Sequence, residues 1–198
     1  MKRKRKKLSV NAIANFISEA GLLKRTKRSG WSVLGIKDAE SVADHSFRCA
    51  VIGFFLAQTE KASTYKVLLM TLFNDIHEAR IGDLHKMAQR YIDSEKAEDK
   101  SFDEQVSALP GGIKKVLKGV RKEYKAQNTK ESIIARDADI LECLIQAKEY
   151  QDYGYCRASQ FMKKAPKFLK TKSAKELWKR VKKANSDNWW LKLSEFKR

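Results

Sequence analysis

One short segment of the chain concentrates side chains that can perform acid–base or metal chemistry. Residues 74–83 read Asn-Asp-Ile-His-Glu-Ala-Arg-Ile-Gly-Asp, which places Asp75, Glu78 and Asp83 close together around His77. Carboxylates in such a group can bind a metal ion, orient a water molecule or accept its proton. The segment therefore indicates a hydrolytic centre.

Three candidate residues lie in apolar patterns where an unpaired polar side chain is unfavourable. His45 follows Val42 and precedes Phe47, Asp75 ends an apolar run, and Asp139 lies between apolar residues further along. Burying these groups is costly unless they are paired or bind a shared cation. Carboxylate oxygens and an imidazole suit Mn, Fe, Co, Ni or Mg. No cysteine joins the set, which argues against a structural zinc site.

The spacing of Glu78 and Asp83 allows two interpretations. Glu78 follows Asp75 by three positions, so both side chains lie on one side of a helical turn. Asp83 follows Gly82, where the chain can turn back towards the same pocket. The alternative is a salt-bridged helix end that involves Arg80.

The elements that must position these residues are predicted to be helices. Only 2 prolines and 9 glycines occur in 198 residues, and no stretch alternates as a strand does. Helical spacing is predicted for residues 13–22, 41–58, 66–77, 84–92, 113–124, 130–150 and 173–184. Residues 24–38 are predicted to be a loop, and residues 93–103 a charged, mobile segment. The fold class is therefore all-α.

Composition favours one domain over residues 10–198, preceded by a basic tail at residues 1–9. Hydrophobic content of 42% and aromatic content of 10% exclude a disordered chain. The longest apolar run, residues 50–57, is too short to span a membrane, and no secretion signal follows the tail. Three widely spaced cysteines fit reduced thiols in the cytoplasm.

The net charge of +18 predicts attraction to polyanions. It is consistent with a lysine-rich solvated surface, with a phosphorylated small molecule as ligand, or with weak binding to nucleic acid. Such nucleic-acid binding would be salt-sensitive and without sequence preference. Charge alone does not separate these partners.

Four segments in order resemble the 5′-deoxynucleotidase branch of the HD superfamily, over about residues 12 to 155. They are Arg28-Ser29-Gly30-Trp31, Glu-Ser-Val-Ala-Asp-His at 40–45, Asp-x-x-Glu-Ala-x-x-Gly-Asp at 75–83, and Asp139-x-x-Glu142 with Gln146-Ala-x-Glu-Tyr150. The resemblance implies a single all-helical HD domain and a homodimer. It also implies a divalent metal ion, for which Mn, Co, Mg, Ni, Fe and Zn are candidates.

The resemblance also implies roles for individual residues around the metal. His45, Asp75 and Asp139 would bind it, and Asp139 is preferred to Asp137 because it keeps the family spacing to Glu142. Glu78 would activate the attacking water. In the substrate half of the site, Asp83 would contact the sugar or help to orient the nucleophile. Arg28 would bind the 5′-phosphate, and Trp31 would form a wall of the sugar pocket.

The chain departs from the family pattern at Asn74, which replaces the histidine of the His-Asp pair. An amide oxygen is a weaker and neutral ligand, so Asn74 would give a harder site that prefers Mg or Mn. His77 is an alternative ligand, although it points nearly a turn away. The third possibility is a site that binds metal poorly and has lost hydrolysis.

The predicted function is a metal-dependent phosphohydrolase that releases phosphate from nucleoside or deoxyribonucleoside 5′-monophosphates. One alternative is a hydrolase of another phosphate ester or of a nucleoside polyphosphate. The other is a catalytically weakened domain that binds a nucleotide or nucleic acid. Asp75, Glu78, Asp83 and Asp139 favour an enzyme, whereas Asn74 and the net charge favour a binding protein.

Overall fold

The regular structure is helical throughout the part of the chain that the computed structural model describes, residues 10–191 and Leu193. The all-α prediction is confirmed, and in this part of the chain the β-pairing found is one isolated bridge between Lys27 and Ser41. The predicted tail at residues 1–9 lies outside the described residues. No helix among those described is long and apolar enough to cross a lipid bilayer.

Eleven helices follow one another along the described residues. They are α1 (Val10–Ala20), α2 (Ser29–Ser32), α3 (Val42–Glu60), α4 (Thr64–Phe73), α5 (Glu78–Ile81), α6 (Ser94–Ser107), α7 (Gly111–Ala126), α8 (Lys130–Asp152), α9 (Ser159–Lys164), α10 (Lys172–Val181) and α11 (Asn188–Leu191). Short 3₁₀ turns occur at Gly21–Lys24, Ala88–Arg90, Cys156–Ala158 and Ala165–Phe168.

Helices α3, α4 and α8 pack against one another at the centre of the fold. Gly53 makes their close approach possible, because a Cβ atom there would lie 3.0 Å from Val67 Cγ1 and 3.2 Å from Thr71 Cγ2. Buried aliphatic side chains such as Leu56 and Leu141 complete this core. The three closely packed helices therefore fix the positions of the polar groups along their inner faces.

Local hydrogen bonds fix where the two long helices begin. Ser41 and Asp44 form a capping box at the start of α3, and Thr129 and Ser132 form one at the start of α8. Such caps satisfy backbone N–H groups that have no partner inside the helix. Asp44 therefore serves the helix end, although it directly precedes His45.

Several predicted elements differ from the structure. Residues 93–103 belong to a helix, α6, that buries Phe102 and Val106. Residues 84–92 contain only a short 3₁₀ turn, and the predicted loop at 24–38 contains α2 with a buried Trp31. The helix predicted to end at residue 77 ends at Phe73, and turns lead from there into α5.

Candidate active site

His45 brings together acidic groups from two other parts of the chain. Its side chain is buried in the first turns of α3. The ring atom Nε2 lies 3.2 Å from Asp139 Oδ1, on α8, and 3.5 Å from Asp75 Oδ2, in the turns after α4. His45 Nε2 therefore lies within 3.5 Å of both carboxylates that the sequence predicts as metal ligands.

The other nitrogen of His45 is held by a buried carboxylate. Nδ1 donates a short hydrogen bond to Glu142 Oε2, and Glu142 Oε1 accepts one from Arg48 Nε at 2.9 Å. A carboxylate that orients a histidine from its far nitrogen is typical of metal sites. The sequence alone predicts no role for Glu142 or Arg48. The sequence offers one indication of their roles: Glu142 follows Asp139 by three residues, and Arg48 follows His45 by three residues.

The acidic groups around His45 favour positive charge at its ring. Burial lowers the pKa of His45, but Cys49, Asp139 and Glu142 raise it, and the net direction is well upward. A proton and a metal ion compete for the same nitrogen, so these groups favour either one.

The raised pKa values of two buried carboxylates indicate that a bound cation would stabilise their charged forms. Burial, followed by the charges of Asp75 and Asp83, raises the pKa of Glu78 to about 10. Burial also raises the pKa of Asp75, although His45 opposes it. Glu78 Oε2 is buried and has no hydrogen-bond partner among the residues that the structure describes. A divalent ion would favour the charged forms of these groups, so the residues present fit such an ion.

The structure separates the two aspartates that flank Ala138 on α8. Asp139 faces the centre, where Arg136 Nη1 donates to its Oδ2 at 3.0 Å. Asp137 instead accepts hydrogen bonds from the backbone N–H and the hydroxyl group of Thr171. Asp137 therefore holds the chain at the start of α10 and takes no part in the centre.

Asn74 and His77 lie beside the centre and have partners of their own. Asn74 Nδ2 donates to Asp75 Oδ1 at 2.6 Å. His77 Nδ1 donates to the backbone oxygen of Asn74, and its Nε2 lies 3.7 Å from Glu98 Oε2, on α6. Burial, followed by the charge of Arg121, lowers the pKa of His77 to about 4. His77 thus faces α6 as a neutral ring.

Asp83 connects the centre to the short helix α2. Its Oδ2 accepts hydrogen bonds from the backbone N–H of Ser29 at 2.5 Å and from the hydroxyl of Ser29 at 2.9 Å. Arg28 Nη1 lies 3.7 Å from Asp83 Oδ1. Gly82 has φ of 73°, in the left-handed region that favours glycine, and this residue turns the chain towards the pocket.

Trp31 is both a core residue and part of the pocket wall. Its side chain is buried, and its ring centroid lies 4.6 Å from that of Phe161 and 5.1 Å from that of Tyr150. Trp31 Nε1 donates to Glu40 Oε1 at 2.8 Å. The polar tip is therefore satisfied inside the protein, and the nearly fully buried ring is also among the residues that line the pocket.

One cavity of about 770 Å³ connects these groups. Its acidic lining includes Asp75, Glu78 and Asp139, and its lining also includes Arg28 and Trp31. The remaining cationic lining residues are Lys86, Arg121, Lys125 and Arg136. This volume suits a ligand of nucleotide size. His85 also lines this cavity.

The helical fold with its buried His-Asp centre defines a class of protein, and a family comparison agrees. Residues 20–178 match the model of the HD domain, and the chain belongs to this family. It is 30% identical over 145 residues to 5′-deoxynucleotidase HDDC2 of Dictyostelium discoideum, covering 69% of this chain and 76% of that protein. The human 5′-deoxynucleotidase HDDC2 is 28% identical over 143 residues, covering 71% and 69%.

A solved structure has the same fold. A conserved hypothetical protein from Pyrococcus furiosus superposes with a TM-score of 0.71 at 31% sequence identity, covering 86% of this chain and 99% of that one. The comparisons and the structure thus confirm the family and the fold that the ordered sequence segments predicted.

Proposed function

We propose that this protein is a metal-dependent phosphohydrolase that releases phosphate from deoxyribonucleoside 5′-monophosphates. The observation that carries the proposal is that His45 Nε2 lies within 3.5 Å of both Asp75 and Asp139, two carboxylates that line a cavity together with Arg28. The printed names of the two 5′-deoxynucleotidase relatives support the substrate class.

His45, Asp75 and Asp139 would hold the divalent ion, with Nε2 of His45 as the nitrogen ligand. When bound, such an ion polarises a phosphoryl oxygen and lowers the pKa of a water molecule. A ligand role for Asn74 stays a prediction, since its amide nitrogen here donates to Asp75.

Glu78 is proposed to orient the attacking water and to take its proton. It lies one helical turn after Asp75, and its buried Oε2 has no hydrogen-bond partner in the described residues. A carboxylate whose surroundings raise its pKa is suited to accept and release a proton near neutral pH once a cation offsets that rise. Asp83 fixes Ser29 and Arg28, and a direct contact from Asp83 to the sugar stays a prediction.

Arg28 is proposed to bind the 5′-phosphate and Trp31 to wall the sugar. Burial lowers the pKa of Arg28, but the charges of Asp75 and Asp83 outweigh burial and raise the pKa overall. The guanidinium therefore stays charged in the pocket. A planar guanidinium can donate two parallel hydrogen bonds to a phosphate.

Phosphate release from a panel of nucleotides tests this proposal. The panel contains 5′- and 3′-monophosphates in deoxyribose and ribose forms, each with Mn, Co or Mg. Arg28→Ala is expected to raise KM for a 5′-monophosphate by roughly tenfold or more, because a charged hydrogen bond is lost. Arg25→Ala, an exposed neighbour, is the matched control. Hydrolysis of 3′- but not 5′-monophosphates would overturn the assigned substrate.

A second candidate function is nucleotide binding without hydrolysis, which Asn74 and the net charge of +18 favour. Calorimetry that detects nucleotide binding by a wild-type protein releasing no phosphate would select it. If only nucleoside polyphosphates or other phosphate esters are hydrolysed, the proposed roles of the catalytic residues are kept and only the assigned substrate is wrong. A homodimer, a cytoplasmic location and weak, salt-sensitive binding to nucleic acid stay predictions.

A further inference from the structure

The positive charge of the chain is concentrated towards its C-terminal end. Residues 10–152 contain 22 basic and 21 acidic side chains and are almost neutral, whereas residues 157–183 contain 11 basic side chains and one acidic side chain. All eleven of these lysines and arginines are exposed. The charge is therefore not spread evenly over the protein, and residues 157–183 form a basic surface.

Packing and hydrogen bonds hold the basic surface against the domain. Asp137, on α8, accepts hydrogen bonds from the backbone N–H of Lys170 and from the hydroxyl group of Thr171, which also caps α10. Ala174 and Trp178 of α10 are buried in the largest hydrophobic core cluster. The lysines of α10 are therefore carried by a helix whose position is fixed by the rest of the fold.

Acidic groups neutralise little of the basic surface. Glu176 is its single acidic residue, and Glu176 Oε1 lies 3.9 Å from Lys172 Nζ in an exposed pair. No other lysine or arginine of residues 157–183, all of which the structure describes, forms an ion pair. Ten cations in one short segment are thus available to an external polyanion.

The exposed side of α10 is cationic, and its apolar side is already buried. Lys172, Lys175 and Lys179 occupy positions i, i+3 and i+7, so they lie along one side of the helix. Ala174 and Trp178 point into the core. An amphipathic helix that binds a lipid bilayer inserts its apolar face, and α10 has no apolar face left for this purpose. A row of charges without an apolar face suits a phosphate backbone better than a membrane.

An exposed aromatic ring lies among these cations. Phe168 is 58% exposed, follows Lys167 in the chain and precedes Lys170 by two residues. Lys167 Nζ lies 5.1 Å from the centroid of the Phe168 ring. Proteins that bind single-stranded nucleic acid combine cations, which contact the backbone, with aromatic rings, on which bases stack. In a duplex the bases are already stacked and paired, so such a ring favours single strands.

We propose that residues 157–183 bind single-stranded nucleic acid, with the lysines on the phosphates and Phe168 stacked on a base. Neither contact reads the identity of a base, so the binding is without sequence preference. It requires neither the metal centre nor the hydrolase activity of the proposed function, and the two proposals can therefore fail separately.

Binding of the full chain to an oligodeoxythymidine tests this proposal. The oligonucleotide has about 20 nucleotides, a fluorescent label and hydroxyl groups at both ends, so that no terminal phosphate can enter the proposed active site. Fluorescence anisotropy gives the affinity at several salt concentrations. The variant Lys167→Gln, Lys175→Gln, Lys179→Gln, Lys182→Gln is expected to lower the slope of log affinity against log salt by about 2–3. At about 0.1 M salt it should weaken binding by roughly 100-fold.

A matched control removes the same charge elsewhere. It is the variant Lys37→Gln, Lys100→Gln, Lys115→Gln, Lys122→Gln, whose four lysines are also exposed and without ion pairs in the described residues. Distant charges are largely screened at this ionic strength, so the control is expected to keep the wild-type affinity to within about threefold.

Phe168→Ala tests the stacking contact separately from the charge. The variant is expected to weaken binding of the single strand by about 5- to 100-fold and to leave the salt slope unchanged. Tyr91→Ala, which removes another exposed aromatic ring, is the control and is expected to bind as wild type does.

Four results would overturn the proposal. Equal weakening by both four-lysine variants would show that overall charge attracts the nucleic acid. Wild-type binding by the first variant, with loss of binding after removal of residues 1–9, would place the site in the basic tail. Tighter binding to a duplex than to the single strand would exclude the stacking contact. Binding to phosphatidylserine vesicles but not to the oligonucleotide would assign the surface to a membrane.

Circular dichroism checks that each variant is folded. If the first four-lysine variant unfolds, Lys175→Gln and Lys179→Gln decide as single variants, because each is expected to lower the salt slope by about 0.7. A wild-type slope in both would overturn the phosphate contacts of α10.

Discussion

The two nitrogens of His45 have different tasks. Nδ1 is fixed by the Glu142 carboxylate, which Arg48 holds in turn, and burial of Glu142 is outweighed so that its pKa falls. Nε2 faces the acidic groups of the centre. One side of the ring therefore sets its orientation, and the other faces the proposed metal site.

At Glu78 the account predicts a loss of catalysis without a loss of binding. Glu78→Gln keeps the size of the side chain but removes the group that takes a proton from water. The kcat for a deoxyribonucleoside 5′-monophosphate should fall by roughly 10²-fold or more, with KM changed little. Steady-state phosphate release measures both, and Glu95→Gln, at an exposed site near the cavity, is the control. A variant with the wild-type kcat would remove Glu78 from the chemistry.

At Glu40 the account predicts a pH dependence of stability. Burial, followed by the charge of Glu142, raises the pKa of Glu40 from its ordinary value of 4.5 to about 7, although Trp31 opposes this. The folded state then binds a proton more tightly than the unfolded state. Protonation of Glu40 therefore contributes to the free energy of unfolding. This contribution is fully present below pH 4.5 and is lost as the pH rises through about 7.

Glu40→Gln tests that contribution because the amide oxygen still accepts from Trp31 but does not titrate. The contribution amounts to about 3 kcal/mol across this range, as an order of magnitude. Denaturant unfolding at several pH values should show a smaller decline in free energy between pH 4.5 and 7 for the variant. Equal declines in both proteins would show that Glu40 is not the titrating group.

At the scale of elements, the sequence predicted the central helices best. Residues 41–58 and 130–150 correspond to α3 and α8 because their apolar positions recur at helical spacing along most of their length. Helix α6 was missed because few apolar residues, such as Phe102 and Val106, bury its face among many charged ones. Its helical state depends on packing that a local pattern does not contain.

The candidate site was partly predictable for the same reason. His45, Asp75 and Asp139 stood out as polar residues in apolar patterns, and the structure brings them together. Cys49 did not stand out, because a buried cysteine is an ordinary core residue. Its proximity to His45 follows from their spacing of four residues on α3, whereas the approach of Asp139 depends on how α3 packs against α8, which the sequence does not specify.

The close packing of α3 on α4 predicts that replacing glycine by alanine destabilises the protein at Gly53 but not at Gly119. Gly53→Ala should lower the free energy of unfolding by about 1–3 kcal/mol, because the added methyl meets Val67 and Thr71, both buried. Gly119→Ala, in α7, meets no atom within 4 Å and should raise it by about 0.5–1 kcal/mol. Chemical denaturation measures both. Stabilisation by Gly53→Ala would show that the helices can separate at little cost.

At the scale of the whole molecule, an apolar stripe lies on the outer face of α3. Phe47, Val51, Phe54 and Phe55 are exposed there at helical spacing. Contiguous exposed apolar side chains often mark protein–protein contacts. The homodimer implied by the family resemblance is therefore expected to use this face.

Sedimentation velocity tests the dimer. Wild type is expected to sediment as a dimer, and the double variant Phe47→Glu with Phe55→Glu as a monomer, because two charges would be buried in the contact. Phe168→Glu, at an exposed position outside α3, is the control. A monomeric wild type at all concentrations would remove the dimer, and a dimeric double variant would place the contact elsewhere.

The whole account depends on a catalytic metal at His45, Asp75 and Asp139, and one titration tests it most directly. Metal-free protein is supplied with increasing Co²⁺ or Mn²⁺, while bound metal and phosphate release from a deoxyribonucleoside 5′-monophosphate are measured on the same samples. The account predicts that activity rises in proportion to bound metal and saturates at one equivalent. It also predicts that Asp139→Ala neither binds the ion stoichiometrically nor releases phosphate. Full activity in metal-free protein, or a full equivalent of tightly bound metal in Asp139→Ala, would contradict it.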